Sequence, residues 1–283
     1  MPGLIIAPRM SNIALLSRPS HACLGRQDLD YFMTYCLGIS LKAGLVLVSD
    51  SRTNAGTDQV SQYGKMHTLG LEGDRQFVLL SSGNLATTQA VLAEIRHDLA
   101  DNPDCKIAKA RYLDEVADHI GEISRQQQSR FADSEGVNAG FSPRVSFILG
   151  GQIRGEAAGI HLIYPEGNHI TTSMATPFLQ IGETKYGKPI LDRILTPDTS
   201  LEDATRCALV SMDSTMQSNV SVGPPIEVLI YEKDSLRFNR YMRLDDNHTY
   251  LRAIRESWSS NIRHAFDALP RFSWEITGPP PGQ

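Results

Sequence analysis

The sequence predicts an α+β fold in which two antiparallel sheets pack face to face and carry helix pairs on their outer sides, a four-layer αββα sandwich. Two blocks with strand character alternate with two pairs of segments at helical spacing, and one more strand follows. A sheet must cover its apolar face, and this order of elements does so by stacking sheet on sheet with helices outside.

The first block opens at Tyr35. Residues 35–40 and 45–50 read as two short strands joined by a tight turn at Lys42-Ala43-Gly44. Residues 65–69 and 76–82 follow as a third and fourth strand around Glu72-Gly73-Asp74, and four strands in a row suggest one antiparallel sheet. Helical spacing then sets in, with Leu85, Leu92, Ile95 and Leu99 on one face, and next Leu113, Val116, Ile120, Ile123 and Gln127. A second strand block covers 145–149, 157–164 and 169–172, the last two joined through Pro165-Glu166-Gly167-Asn168. Helices are expected over 185–194 and 201–216, then a strand over 226–231. Leu251, Ile254, Trp258, Ile262 and Phe266 return to helical spacing before a tail at Pro279-Pro280-Pro281 that cannot be helical. No Pro/Gly/Ser linker divides this stretch, so it reads as one domain over 34–244 with a C-terminal helical appendage over 245–283.

Composition narrows the function classes. The 283 residues are 41% hydrophobic and 21% charged, an ordinary balance for a chain with a sizeable core. A net charge of −5 leaves no Lys/Arg excess to neutralise phosphates, which argues against a nucleic-acid partner. The longest apolar runs, 44–48 and 146–149, fall far short of the roughly 20 residues a membrane helix needs, so a soluble protein is expected. Cys23, Cys36, Cys105 and Cys207 have no metal-ligand spacing and are too few for a disulfide framework, which fits a reducing cytoplasm. Residues 1–33 stand apart. Pro2, Pro8 and Pro19 punctuate them and Arg9 breaks their apolar stretch, so they lack the core of a secretory signal and read as a disposable leader or an upstream mis-assigned start.

Most motif scans are empty. Gly182-Glu183-Thr184-Lys185-Tyr186-Gly187-Lys188-Pro189 has the spacing of a phosphate loop, yet proline stands where a hydroxyl should hold magnesium, so it reads as a strand-to-helix turn. H-E-x-x-H, C-x-x-C, G-x-S-x-G and G-x-G-x-x-G are all missing. What remains is an ordered set: Thr34 where the leader meets the first strand, Asp50 at the end of the second, and Lys65 opening the third.

These residues carry a resemblance. The run from Thr34 to Gly56 is similar to the start of a proteasome-type β subunit. Together with Gly64-Lys65-Met66, the string Ser81-Ser82-Gly83-Asn84-Leu85-Ala86-Thr87-Thr88-Gln89 and the segment from Ser211 to Gly223, it most closely resembles Anbu, a family of bacterial proteasome homologues related to HslV. The likeness runs from about Thr34 to Tyr241. It implies the N-terminal nucleophile hydrolase fold and a threonine peptidase that needs no cofactor, acts on polypeptides and self-associates into a ring or helical homo-oligomer. Whether an ATPase unfoldase feeds it stays open.

The resemblance also implies roles. Thr34 would be the nucleophile and its own α-amine the base, with a reference pKa of about 7.7–8.0 that suits proton transfer near neutrality. Lys65 matches the lysine beside the threonine hydroxyl and Asp50 the carboxylate that holds it. Gly83 matches the glycine whose N–H faces the oxyanion. Near the amine the family has an Asp and a nearby Ser, matched here by Asp213 with either Ser214 or Ser218, while Glu183 stands where many relatives have serine. The amine is free only without Met33. Translation from Met33 followed by methionine removal would expose Thr34, and a start at Met1 would require autolysis between Met33 and Thr34. Two other readings accompany the peptidase: a non-peptidase amide hydrolase using the same nucleophile, and a catalytically silent self-assembling homologue.

Overall fold

The computed structural model describes residues 34–54, 60–132 and 142–277. The leader read over 1–33 and the proline tail lie outside the described residues. The strands are β1 (Tyr35–Leu41), β2 (Gly44–Asp50), β3 (Arg52–Asn54), β4 (Val60–Gln62), β5 (Met66–Leu71), β6 (Arg75–Gly83), β7 (Val145–Ile153), β8 (Gly159–Ile163), β9 (His169–Thr171), β10 (Phe178–Gly182), β11 (Ile226–Glu232) and β12 (Arg240–Leu244). The helices are α1 (Leu85–Asp101), α2 (Lys106–Lys109), α3 (Leu113–Ala132), α4 (Lys188–Ile194), α5 (Leu201–Ser218), α6 (Thr249–Asp267) and α7 (Ser273–Thr277).

Two five-stranded antiparallel sheets result, ordered β10-β1-β2-β11-β12 and β5-β6-β7-β8-β9, with β3–β4 as a small separate hairpin. The four-layer α+β expectation holds. The four N-terminal strands do not form one sheet, however: β1 and β2 belong to the first and β5 and β6 to the second. The reason lies in the burial of β2, whose every residue is buried. A strand covered on both faces lies in an inner layer, between helices and another sheet, and the edge of β2 away from β1 is taken by β11, which leaves β5 and β6 to pair with β7 in the second sheet. The connection through β3 and β4 carries the chain from one sheet to the other.

Strand alternation sorts the apolar residues into three cores. Leu37, Ile39, Val46 and Val48 face α5 with Ala208 and Met212. Leu45 and Leu47 point the other way, onto Val78, Leu80 and Ile148 between the sheets. Phe77, Leu79 and Phe147 pack outward onto Val91, Ile95 and Ile120 of α1 and α3. The helices begin where side chains can cap them: Asn84 accepts the Thr87 N–H at 3.0 Å and Ser200 accepts the Asp203 N–H at 3.1 Å. The phosphate-loop look-alike is a strand-to-helix turn, with β10 ending at Gly182 and α4 starting at Lys188; Lys188 pairs with Asp192 at 2.7 Å on the surface. Among the described residues no helix is long and apolar enough to cross a membrane.

Leu47 sits fully buried between the sheets, with the backbone of Gly150 close against its methyl groups. Leu47→Ala should therefore lower stability by about 2–5 kcal/mol in urea unfolding, whereas Leu71→Ala, at an exposed position on β5, should leave it nearly unchanged.

Candidate active site

The hairpin of β1 and β2 brings Thr34 and Asp50 to the same end of the first sheet. Tyr35 donates its N–H to Asp50 Oδ1 at 3.0 Å. On the other side of β1, the Glu183 N–H donates to the Thr34 carbonyl at 2.8 Å. Gly182 makes this approach possible: its φ is 84°, and a Cβ there would lie 2.0 Å from the Thr34 carbonyl oxygen. The Tyr35 hydroxyl shares a hydrogen bond with Ser211 Oγ of α5 at 2.7 Å and accepts one from Gln180 at 2.6 Å. Thr34 is thus anchored on both sides of its carbonyl, by the Glu183 main chain on one and by the Asp50 carboxylate, through the Tyr35 amide, on the other, and it is itself buried.

Lys65, immediately before β5, reaches across from the second sheet. Its Nζ donates to Asp50 Oδ1 and to the Arg52 carbonyl, each at 2.7 Å. Its own carbonyl accepts the Ser81 N–H at 3.0 Å, which fixes it to β6. The Gly223 N–H approaches Asp50 Oδ2 at 3.3 Å. Burial pushes the Asp50 carboxyl above the usual carboxylate range, against the downward pull of the Lys65 ammonium and the two amides. Lys65 and Asp50 are both buried, so each compensates the other's lost hydration.

Gly83 ends β6 directly before α1 and is exposed, with a φ of 122° that a side chain would disfavour. Its neighbour Ser82 has its Oγ 3.2 Å from the position of a Gly182 Cβ, which sets this strand end close to Thr34. Thr34, Asp50, Lys65 and Gly83 therefore converge on one corner where the two sheets meet.

Asp213, Ser214 and Ser218 are placed differently. Asp213 is buried on α5, and its Oδ1 accepts a bond from Arg255 of α6 at 2.6 Å. The residue of α5 that faces β1 is Ser211, and two residues along a helix turn the side chain by about 200°, away from that side. Ser214 is half-buried and Ser218 is exposed at the helix end. Among the described residues the polar residue bonded to Thr34 is Glu183, just beyond β10, and its own partner comes from the end of α5. Glu183 is buried, accepts a bond from Asn219 Nδ2 at 3.2 Å, and Asn219 Oδ1 in turn accepts the Ser221 N–H at 2.9 Å. Asn219 and Ser221 escaped the sequence reading because they lie in a short loop without periodicity. The nearby Gly223 was visible, but its part in holding Asp50 was not.

Other nucleophiles fit poorly. Cys36 lies in β1 next to the site, but burial pushes its thiol well above the ordinary range, and the same cause pushes Cys207 up to about 12. No group of three or more His, Cys, Asp or Glu able to hold a metal ion occurs among the described residues.

Two facing antiparallel sheets, helices outside, and a threonine leading the first strand beside a buried lysine–aspartate pair define the proteasome-like, N-terminal nucleophile class of fold. Neither a family model nor a curated protein matches the sequence. Solved structures do. The chain is similar to Anbu (ancestral β-subunit) from Yersinia bercovieri, with 41% identity and a TM-score of 0.79 over 85% of this chain and 99% of that one. It is similar to an Anbu (Gly-1) mutant from Hyphomicrobium sp. strain MC1 at 42% identity and a TM-score of 0.78 over 85% and 99%. The helical assembly of the Anbu complex from Pseudomonas aeruginosa gives 41% identity and a TM-score of 0.79 over 88% and 99%. The chain belongs to the Anbu family.

Lys65→Met should cost about 3–5 kcal/mol of stability at pH 8, because it leaves the Asp50 carboxylate buried with only amide partners. Without the ammonium, Asp50 in the folded state titrates further above its unfolded value, so folding favours its protonated form. Urea unfolding of the variant should show the deficit shrinking as pH falls towards 5 and growing as pH rises; a pH-independent deficit would contradict this account.

Proposed function

We propose that the chain is a threonine-type peptidase with Thr34 as its amino-terminal nucleophile. The observation that carries this reading is the buried Lys65–Asp50 pair and its bond to the Tyr35 amide, one residue from Thr34. A cation fixed through Asp50 to the amide that follows Thr34 is more than joining the sheets requires, since an apolar pair would fill the same space with less desolvation. It suits a hydroxyl that must lose a proton and an amine that must stay neutral.

In the proposed reaction the free α-amine of Thr34 takes the hydroxyl proton as Oγ1 attacks the scissile carbonyl. The Gly83 N–H faces the developing oxyanion. The protonated amine then delivers its proton to the leaving amine, and water hydrolyses the resulting ester by the same base. Lys65 stabilises the alkoxide and disfavours protonation of the amine, while Asp50 holds Lys65 in place. Glu183, Asn219 and Ser221 supply the polar surroundings on the Glu183 side, and Asp213 with Arg255 secures α6. Ser214 and Ser218 are the less favoured partners, given their position along α5.

In this reading residues 1–33 are absent from the working chain, 34–244 form the catalytic domain and 245–283 contribute to assembly. Self-association is supported by the helical assembly of the Pseudomonas aeruginosa relative. It is also supported by the C-terminal segment itself. Leu251 is buried against the domain and Ile254 packs on the same core, but Ile262, Phe266, Leu269, Phe272 and Trp274 are all exposed. A polypeptide substrate and a cytoplasmic setting complete the proposal, the latter supported by the buried free thiols Cys36, Cys105 and Cys207.

Intact-mass measurement of the native protein should find a chain beginning at Thr34 that hydrolyses peptides, and Thr34→Ala should abolish turnover by at least about a thousandfold while keeping the fold. An assembled, peptide-cleaving protein that still begins at Met1 would overturn the mechanism. Deleting the residues after Asp245 should reduce the mass in solution; an oligomer of unchanged size would remove the C-terminal segment from the interface.

A further inference from the structure

A cavity of ≈ 360 Å³ opens beside the candidate site, lined by Gly64, His67, Leu85, Gln89, Leu92 and Arg96 among others. Its two walls belong to the site. Gly64 and His67 bracket Lys65 on one side, and Leu85 begins the helix that follows Gly83 on the other. A substrate carbonyl held between Thr34 and Gly83 would direct a neighbouring side chain into this space.

The chemistry of the lining is one-sided. Leu85 and Leu92 give it an apolar floor, and among the described residues none that lines it is acidic. His67 Nε2 is buried and has no hydrogen-bond partner among the described residues. Burial, and after it the Arg96 guanidinium, drive the His67 pKa down to about 4, so the ring is neutral at physiological pH and can offer one N–H. Arg96 is exposed on α1 and supplies the positive charge. An opposing charge stands behind the wall: the Glu227 carboxylate lies behind Gly64 and accepts bonds from Ser51 at 3.3 Å and Tyr241 at 2.6 Å. Its effect on His67 ranks below that of Arg96.

We infer that Arg96 and His67 are specificity-determining residues that make this pocket select an acidic side chain, glutamate or aspartate, on the substrate residue next to the scissile bond. A guanidinium has five donors and no acceptor, so a carboxylate can meet it with paired hydrogen bonds. An apolar side chain would make no use of the Arg96 charge and would leave His67 Nε2 unpaired, a buried donor without compensation. The methylene groups of glutamate would lie on Leu85 and Leu92. The inference rests on the peptidase reading and names the class of substrate for the same site.

The test separates the two. In the chain expressed from Met33 and carrying Thr34→Ala, so that residues 1–32 are absent, calorimetric titration compares acetylated, amidated pentapeptides that are identical except for a central Glu, Gln, Leu or Lys. The Glu peptide should bind about tenfold more tightly than the Gln or Leu peptide. Arg96→Ala should erase that preference, and Arg96→Glu should shift it to the Lys peptide. Equal binding of Glu and Leu peptides, a ranking unchanged by Arg96→Ala, or no binding of any peptide would overturn the inference. Turnover by the wild-type chain is scored separately. A Glu preference in binding without turnover would sink the peptidase reading alone, and turnover with no Glu preference would sink the pocket assignment alone.

Discussion

The ion pair between Lys65 and Asp50 is where the two halves of this protein are joined around a single point. Lys65 belongs by its backbone to the second sheet and by its ammonium to the first, and Asp50 passes the connection to Tyr35, next to the nucleophile candidate. Two charges are expensive to bury, and the cost is offset only when both are present and their remaining valences are met. The Arg52 carbonyl and the Gly223 and Tyr35 amides meet them here. That arrangement constrains four separate stretches of chain at once, so the corner between the sheets can hold little variation in geometry.

Much of the fold was legible because its physical causes are local. The turn at Lys42-Ala43 and the unbroken apolar run of Leu45 to Val48 mark a buried hairpin, and the helical stripes of α1, α3 and α5 declare their buried faces. The assignment of strands to sheets was not legible in the same way. Whether β5 continues the sheet of β1 and β2 or starts another depends on which strand edges pair, and the spacing of residues within β5 does not record that. β12 was missed because four of its five residues are exposed, and β3 and β4 because three residues are too few to show a period.

The site was legible in part for a related reason. Thr34, Asp50, Lys65 and Gly83 stand at the ends of regular elements, so their positions can be counted along the chain. Glu183 stands at such an end too, but its partners Asn219 and Ser221 lie in the loop after α5, where the path of the backbone decides what touches what. Asp213 and the serines of α5 illustrate the opposite hazard: residue types that suit the chemistry sat on a helix, and a helix turns Ser211 rather than Asp213 towards β1.

The way Thr34 is anchored has a further consequence. The bonds that place it run through its carbonyl and the following amide, both of which belong to the peptide chain downstream of its own nitrogen. These two bonds lie downstream of the Thr34 nitrogen, so they form alike whether that nitrogen is part of a peptide bond or a free amine. If the chain works by the reaction proposed above, its base can be uncovered in one later step, and the timing of activity is then separate from the acquisition of structure.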